Sequence, residues 1–246
     1  MERFRIPLFV VSVVIVIPLM LVVDGPDLRV QLLNGAFAFL LVFTAARSGS
    51  IPGIQIAVAM TIATTGELIL SLGWGLYAYR FAVIPWYVPP GHGIFYLLTA
   101  ETAAHPRIVR HRKAVIGAVL VFGSALAALC LVLGRDAWGL AWWLGAGAMM
   151  LLSRSGLVVA CAWVYTTPME WLGTWNENWV WFREVPGIPL PSGNPPSGVA
   201  VLYGLLDILT ILACSSPLLR RLAEGGRSDR SPASDSRSPA VDLAEI

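Results

Sequence analysis

Residues 114–134 read AVIGAVLVFGSALAALCLVLG, an apolar run without a single charged residue. A helix needs roughly 20 such residues to cross the hydrocarbon core of a bilayer, so this run predicts a membrane span. Comparable runs stand on either side of it, at 6–23, 31–46, 54–80, 90–104, 138–152, 156–182 and 197–217. Those at 31–46, 90–104 and 138–152 are the shortest. The composition agrees, with 57% hydrophobic residues, a mean hydropathy of +0.71 and only 13% charged residues. A soluble domain carries roughly 25%. The expected fold is all-α, a polytopic membrane bundle of about eight transmembrane helices.

Met1-Glu2-Arg3-Phe4-Arg5 resembles the charged start of a signal peptide, but no small-residue cleavage site follows, so the first run reads as a retained helix. Basic residues set orientation. Eight spans place Arg3, Arg5, Arg47, Arg107, Arg110, Arg112, Lys113, Arg154, Arg220, Arg221, Arg227, Arg230 and Arg237 on one side, 13 of the 17 Lys and Arg. Arg29, Arg80, Arg135 and Arg183 fall on the other. The expected location is therefore the cell membrane, multi-pass, with both termini cytoplasmic. A net charge of +2 spread over loops gives no nucleic-acid footprint. Cys130, Cys161 and Cys214 lie inside apolar runs without metal-ligand spacing and read as small buried hydrophobes.

The two halves of the chain echo each other. Arg47-Ser48-Gly49 returns as Arg154-Ser155-Gly156, and Thr64-Thr65-Gly66-Glu67 as Thr166-Thr167-Pro168-Met169-Glu170. Tyr77-Ala78-Tyr79-Arg80 returns as Trp179-Val180-Trp181 with Arg183 behind it, and Pro89-Pro90-Gly91 as Pro195-Pro196-Ser197. Glu101 returns as Asp207 at the 106-residue offset of the proline pairs. The expectation is a first four-helix repeat at 1–113, a second at 114–223, and a disordered cytoplasmic tail rich in Ser, Pro, Arg and Asp at 224–246. Units with an even number of spans keep the same orientation, so the repeats should be parallel, related by an axis along the membrane normal around a shared central space.

Four carboxyl residues fall within the runs: Glu67, Glu101, Glu170 and Asp207. A charge at mid-bilayer costs roughly 2.5–3.5 kcal/mol, and no Lys or Arg stands mid-span to offset it. These acids should face the bundle interior. One reading makes them catalytic, since a carboxylic acid kept neutral in a dry pocket is a proton donor. The other makes them hydrogen-bonding groups that hold helices together.

Trp171, Trp175 and Trp179 recur every four residues and predict one helical stripe; Trp74, Tyr77 and Tyr79 stand comparably in the first half. Such faces stabilise a cation or form an interfacial belt. The connectors 84–93 and 185–198, rich in Pro and Gly, read as rigid and non-helical, either capping a central cavity or simply turning the chain. Expected substrate contacts are Trp74, Tyr77, Trp175, Trp179, Asn178 and His92, with Asn176 beside them. His92 reads either as a proton relay or as an interface hydrogen-bonding residue, and the asparagines either orient a ligand or sit wetted at the interface. Glu101 and His105 share a helix face but lack a third ligand, so no metal is expected. No cofactor is expected either, for no phosphate-binding glycine loop, nucleophile elbow or zinc-helix motif occurs.

Glu170-Trp171-Leu172-Gly173, Trp179-Val180-Trp181 and Val185-Pro186-Gly187-Ile188-Pro189-Leu190 give an acid, a glycine, an aromatic-x-aromatic pair and a proline connector. Glu67, Gly73, Tyr77-Ala78-Tyr79 and Pro85 repeat the pattern. It resembles the carotenoid hydratase family of the bacterioruberin pathway and, more loosely, the heterodimer-type lycopene cyclases, over roughly 60 residues of each half. The resemblance implies acid chemistry on C=C bonds of long isoprenoids without a redox cofactor. The Pro-x-Glu-Glu motif of those cyclases is absent: Pro90-Gly91-His92-Gly93 and Pro196-Ser197-Gly198 stand in its place, which argues against lycopene cyclisation itself. By looser analogy with small membrane terpene cyclases, Glu67 and Asp207 take the parts of an acid on an early helix and one on the last.

The expected function is thus an integral membrane enzyme performing acid-catalysed cyclisation, hydration or isomerisation of a lipid-soluble isoprenoid such as a carotenoid or terpenoid. Its partners would be that hydrophobic substrate and membrane lipid. The alternatives are a proton-coupled carrier of a small solute or lipid, and a non-enzymatic membrane scaffold.

Overall fold

The structure, a computed structural model, describes residues 15–25, 27–48, 51–217 and 219. The tail expected at 224–246, the start of the 6–23 run with Arg3 and Arg5, and the basic residues from Arg220 onward lie outside the described residues.

The chain is mostly helical. Residues 15–23 form α1, followed by α2 (Leu28–Ser48) and α3 (Gly53–Glu67), which runs on as a π-helical stretch, Leu68–Gly73. Then come β1 (Tyr77–Tyr79), α4 (Val88–Ala104), the short α5 (Pro106–Arg110), α6 (Arg112–Gly134), α7 (Ala137–Leu152), α8 (Gly156–Trp175), β2 (Trp179–Trp181) and α9 (Ala200–Cys214). Among the described residues, Leu28–Arg47, Gly53–Gly73 and Arg112–Gly134 are long and apolar enough to cross a membrane; Ala137–Leu152 and Ala200–Cys214 are apolar but shorter. Large hydrophobic side chains stand exposed on these helices, among them Leu33, Leu40 and Phe43 of α2 and Val121, Phe122, Val132 and Leu133 of α6. Apolar exposure on that scale marks a surface meant for lipid or another protein.

Four helices form the centre. α3 packs against α4 and α9, and α8 packs against α9 and α4. α2 flanks α4, while α6 and α7 flank α8. Small residues allow the close approach. The run Leu157–Ala162 of α8 is wholly buried, and a Cβ at Gly204 of α9 would come within 2.9 Å of Val159. Ile94, Tyr96, Leu97 and Leu98 of α4 complete this core.

The 54–80 and 156–182 runs are not continuous helices. Gly75 (φ 77°) and Glu177 (φ 57°) adopt left-handed backbone that ends them, and the aromatic triplets beyond become strands, a conformation that suits such side chains. β1 and β2 pair antiparallel, with Tyr77 opposite Trp181, Ala78 opposite Val180 and Tyr79 opposite Trp179. Bonds from Arg80 N to Asn178 O (3.1 Å) and from Phe182 N to Leu76 O (3.0 Å) extend the ribbon. The fold is therefore not purely helical. The two connectors also differ. Pro89 and Pro90 lie in the first turn of α4 rather than in a loop, because the missing N–H costs nothing there and the fixed φ suits a helix. The second connector, 182–199, stays non-helical.

Candidate functional site: two carboxylates under an aromatic ribbon

Glu67 ends α3 and Glu170 lies one turn before the end of α8. Beyond Glu67 the π-helical stretch, and beyond Glu170 the last turn of α8, lead into a tight turn that folds the chain back, so that the next strand donates to the acid that precedes it. Glu67 Oε2 accepts from the hydroxyls of Tyr77 (2.6 Å) and Tyr79 (2.8 Å). Glu170 Oε2 accepts from the indole N–H groups of Trp179 (2.9 Å) and Trp181 (3.1 Å). The other oxygen of each acid meets the following helix. Glu67 Oε1 lies 3.1 Å from His92 Nε2 of α4, and Glu170 Oε1 accepts from Tyr203 Oη of α9 at 2.6 Å. Both acids are buried.

Side chains alternate along a strand. Tyr77, Tyr79, Trp179 and Trp181 therefore share one face of the ribbon, and all four are buried, whereas Ala78 and Val180 point away. The rings pack on one another, Tyr77 against Trp181 at 4.3 Å and Tyr79 against Trp179 at 6.1 Å between centroids. His92 stacks on Tyr203 at 5.3 Å, which joins the two acid clusters through a ring pair. Together these groups form the polar end of a cavity of about 210 Å³. The rest of its wall is apolar and comes from α1, α2, α3, α4, α8 and α9.

The two clusters are alike in plan and unlike in chemistry. Glu170 is met by two indoles and a phenol; an indole N–H only donates, so Oε2 of this acid is a fixed acceptor. Glu67 is met by two phenols and an imidazole, whose ring nitrogen either donates or accepts according to its tautomer. The π-helical stretch directly after Glu67, a feature common at functional sites, sets the first half apart from the second, where Pro168 interrupts the hydrogen bonding of α8 instead.

Of the residues singled out in the sequence, Glu67, Glu170, Tyr77, Tyr79, Trp179 and His92 line this cavity. The others do not. Trp74, 39% exposed, donates its indole N–H to Pro186 O at 2.8 Å, and Trp175 is 84% exposed. The expected stripe Trp171, Trp175, Trp179 does not form, because the helix stops at Trp175 and Trp179 turns inward on β2. Asp207 is buried four residues beyond Tyr203 on α9, in the layer of Tyr96 and Cys161. Glu101 lies nine residues beyond His92, about 13 Å along the axis of α4, and is half-buried. Of the four acids, Glu67 and Glu170 line the cavity, and Glu101 and Asp207 do not. His105 caps α5, its Nδ1 accepting from Arg107 N at 3.3 Å. Among the described residues no group of three or more His, Cys, Asp and Glu is placed to hold a metal ion.

Asn178 is buried in a clasp that the sequence did not suggest. Asp24 Oδ2 accepts from Asn178 Nδ2 (3.0 Å) and from the Tyr87 hydroxyl (2.9 Å). The Arg80 guanidinium bonds both the Asp24 and the Asn176 main-chain oxygens. Burial, with the Asp24 carboxylate alongside, pushes the Tyr87 phenol up from its ordinary value, so it keeps its proton and donates. Asp136 makes a second clasp. It caps α7 through Gly139 N (2.9 Å) and holds the proline connector through Gly193 N and Ser197 N (2.7 Å each). These aspartates fix the ribbon and the connector above the cavity. Tyr203 and Trp181 also went unselected in the sequence, though both donate to Glu170.

Close packing holds the second cluster in place. A Cβ at Gly173 would collide with the Trp179 ring. Gly173→Ala should displace that indole from Glu170 and cost about 1–3 kcal/mol, read as a lower midpoint of thermal unfolding in detergent. Gly66→Ala, whose Cβ would meet nothing within 4 Å, should leave the midpoint unchanged or raise it. Equal midpoints for the two variants would contradict the packing described here.

Comparison with known proteins assigns no relative: no family model, no curated protein and no solved structure matches the chain.

Proposed function

We propose that this chain is a multi-pass membrane enzyme of about eight spans in two parallel four-helix repeats, 1–113 and 114–223, performing acid-catalysed chemistry on an isoprenoid C=C bond. The observation that carries the reading is that one carboxylate from each half meets the same apolar cavity, each beneath its own aromatic pair. The repeat arrangement draws support from the pairing of β1 with β2. Its register maps onto itself when Tyr77 exchanges with Trp179 and Tyr79 with Trp181, and the packing of α3 on α9 exchanges with that of α4 on α8. Basic residues in the loops put both termini in the cytoplasm.

In this reading Glu67 is the proton donor. Its carboxyl proton passes to one alkene carbon, the π pair forms the new C–H bond, and the neighbouring carbon becomes cationic. The Tyr77, Tyr79, Trp179 and Trp181 rings shield that cation, and the Glu170 carboxylate balances its charge from the far side. Loss of a proton from an adjacent carbon to Glu67, directly or through His92, restores the acid and leaves an isomerised product, or a cyclised one where the π pair of a second C=C of the same chain has first closed a ring C–C bond onto the cation and moved the charge to its own far carbon. If water attacks instead, the product is an alcohol and the water proton returns to Glu67. The chain uses no oxidant, and electrons balance within the substrate.

The reading is tested by expressing the chain in a host that makes linear isoprenoids and comparing extracted lipids with those of the empty host. A new product isomeric with a linear isoprenoid, or heavier by one water, is expected. Unchanged lipid profiles across linear terpene and carotene hosts would overturn it.

A further inference from the structure

Two residues of the cavity wall are exposed, Leu205 (44%) and Leu209 (43%), one turn apart on α9. Every other described wall residue is buried or half-buried. A residue that both lines a cavity and faces outward marks its mouth. On α3, which packs against α9, Ile62 and Gly66 line the same cavity and are both half-buried. A Cβ at Gly66 would meet nothing within 4 Å, so the gap there is open space beside bare backbone. Outside the mouth the surface continues as exposed Leu212 of α9 and exposed Leu68 and Ile69 beyond Glu67. The opening therefore gives onto an apolar exterior and not onto water.

Size points the same way. Pockets that enclose a whole small molecule run to about 300–1,000 Å³, and this one offers about 210 Å³. A long isoprenoid does not fit inside it, but one end does, if the remainder leaves through a side opening into acyl chains.

We propose that the cavity loads sideways from the bilayer through the α3–α9 gap at Gly66, Leu205 and Leu209, taking one end of a long apolar chain to Glu67 and Glu170 while the rest stays in lipid. This rests on the reading that the cavity binds a lipophilic substrate. It adds directionality: end groups react and central bonds do not. It also breaks the likeness of the halves, since the corresponding α4–α8 seam is closed by the buried run Ile94–Ala100 against Leu157–Ala162.

The test uses the full chain in phosphatidylcholine nanodiscs with a farnesyl-chain hydrocarbon carrying a terminal diazirine. After irradiation, adducts are mapped by peptide mass spectrometry. Adducts on the interior residues Tyr79 and Phe95 are expected, together with adducts at Leu205 and Leu209. In Gly66→Trp, and separately in Leu209→Trp, the interior adducts should fall to the background of an unirradiated sample. Adducts on the exposed Phe122 of α6 should persist in all three, and a thermal midpoint close to that of the wild type reports folded protein. Interior labelling that survives in a folded mouth variant overturns the side opening but leaves the binding cavity standing. Wild-type labelling confined to outward-facing residues overturns the cavity reading itself.

Discussion

Glu67→Gln lowers turnover by at least about 100-fold, the contribution expected of a positioned general acid. The amide matches the carboxyl in volume, and its oxygen still accepts from Tyr77 and Tyr79, now held at 2.6 and 2.8 Å from Oε2. What it lacks is a transferable proton. The loss should therefore appear without a fall in thermal midpoint, which separates a chemical role from a structural one. Glu170→Gln should also slow the reaction, since it removes the charge balancing the cation, but it leaves the donor in place. Full turnover in both glutamine variants would remove the enzyme proposal. Full turnover in Glu67→Gln with loss in Glu170→Gln would exchange the roles of the two halves.

The largest effect on stability falls outside the cavity. Asp136→Ala should destabilise the fold by at least about 3 kcal/mol, since buried donors left unmade cost roughly 1–3 kcal/mol each. Three main-chain N–H groups, of Gly139, Gly193 and Ser197, converge on this buried carboxylate at 2.7–2.9 Å. Removing it uncaps α7 and frees the connector that holds Trp181 through Asn194 Oδ1, which accepts from Trp181 N at 2.9 Å. Asp136→Asn retains one oxygen acceptor and should fall between wild type and Ala. Denaturation in mixed micelles measures the series, and an Ala variant within about 0.5 kcal/mol of wild type, the range of an ordinary surface substitution, would show that the clasp contributes little.

What the sequence made legible follows from what hydropathy and repetition encode. The long apolar runs are visible because burying a helix in lipid demands them, and α2, α3 with its π-helical extension, and α6 carry that signature. The pairing of Glu67 with Glu170 is visible because an acid in an apolar run is costly and this one occurs twice at matching places. The strands were hidden for the same reason. Tyr77–Tyr79 and Trp179–Trp181 are apolar enough to extend a hydropathy run, and only the punctuation at Gly73-Trp74-Gly75 and Asn176-Glu177-Asn178 marks where the helices end. Periodicity at four residues then grouped Trp179 with Trp171 and Trp175, although the intervening turn points it the other way.

Asp24 and Asp136 were hidden because they lie between the runs, where an acid costs nothing by default. Asp136 did carry a signal, standing directly before α7 in the position of a helix N-cap. Asp207 misled in the opposite sense. Its offset from Glu101 is that of the proline pairs, but that spacing does not report which face of the helix meets the cavity: Leu205, Leu206 and Leu209 of α9 line it, while Asp207 between them turns toward Tyr96 and Cys161. Tyr203 itself has no repeat partner of its own type, so nothing in the sequence set it apart from other aromatic residues in apolar helices.

Turnover in deuterium oxide is the most direct measurement of whether the Glu67 carboxyl protonates a lipid alkene. Squalene or a linear carotene is supplied in nanodiscs, and the product is examined for deuterium on carbon. One non-exchangeable deuterium per product molecule in the wild type, and none above background with Glu67→Gln, is the expected result. Product that forms without carbon-bound deuterium, or that carries it equally in the Gln variant, would contradict protonation by Glu67.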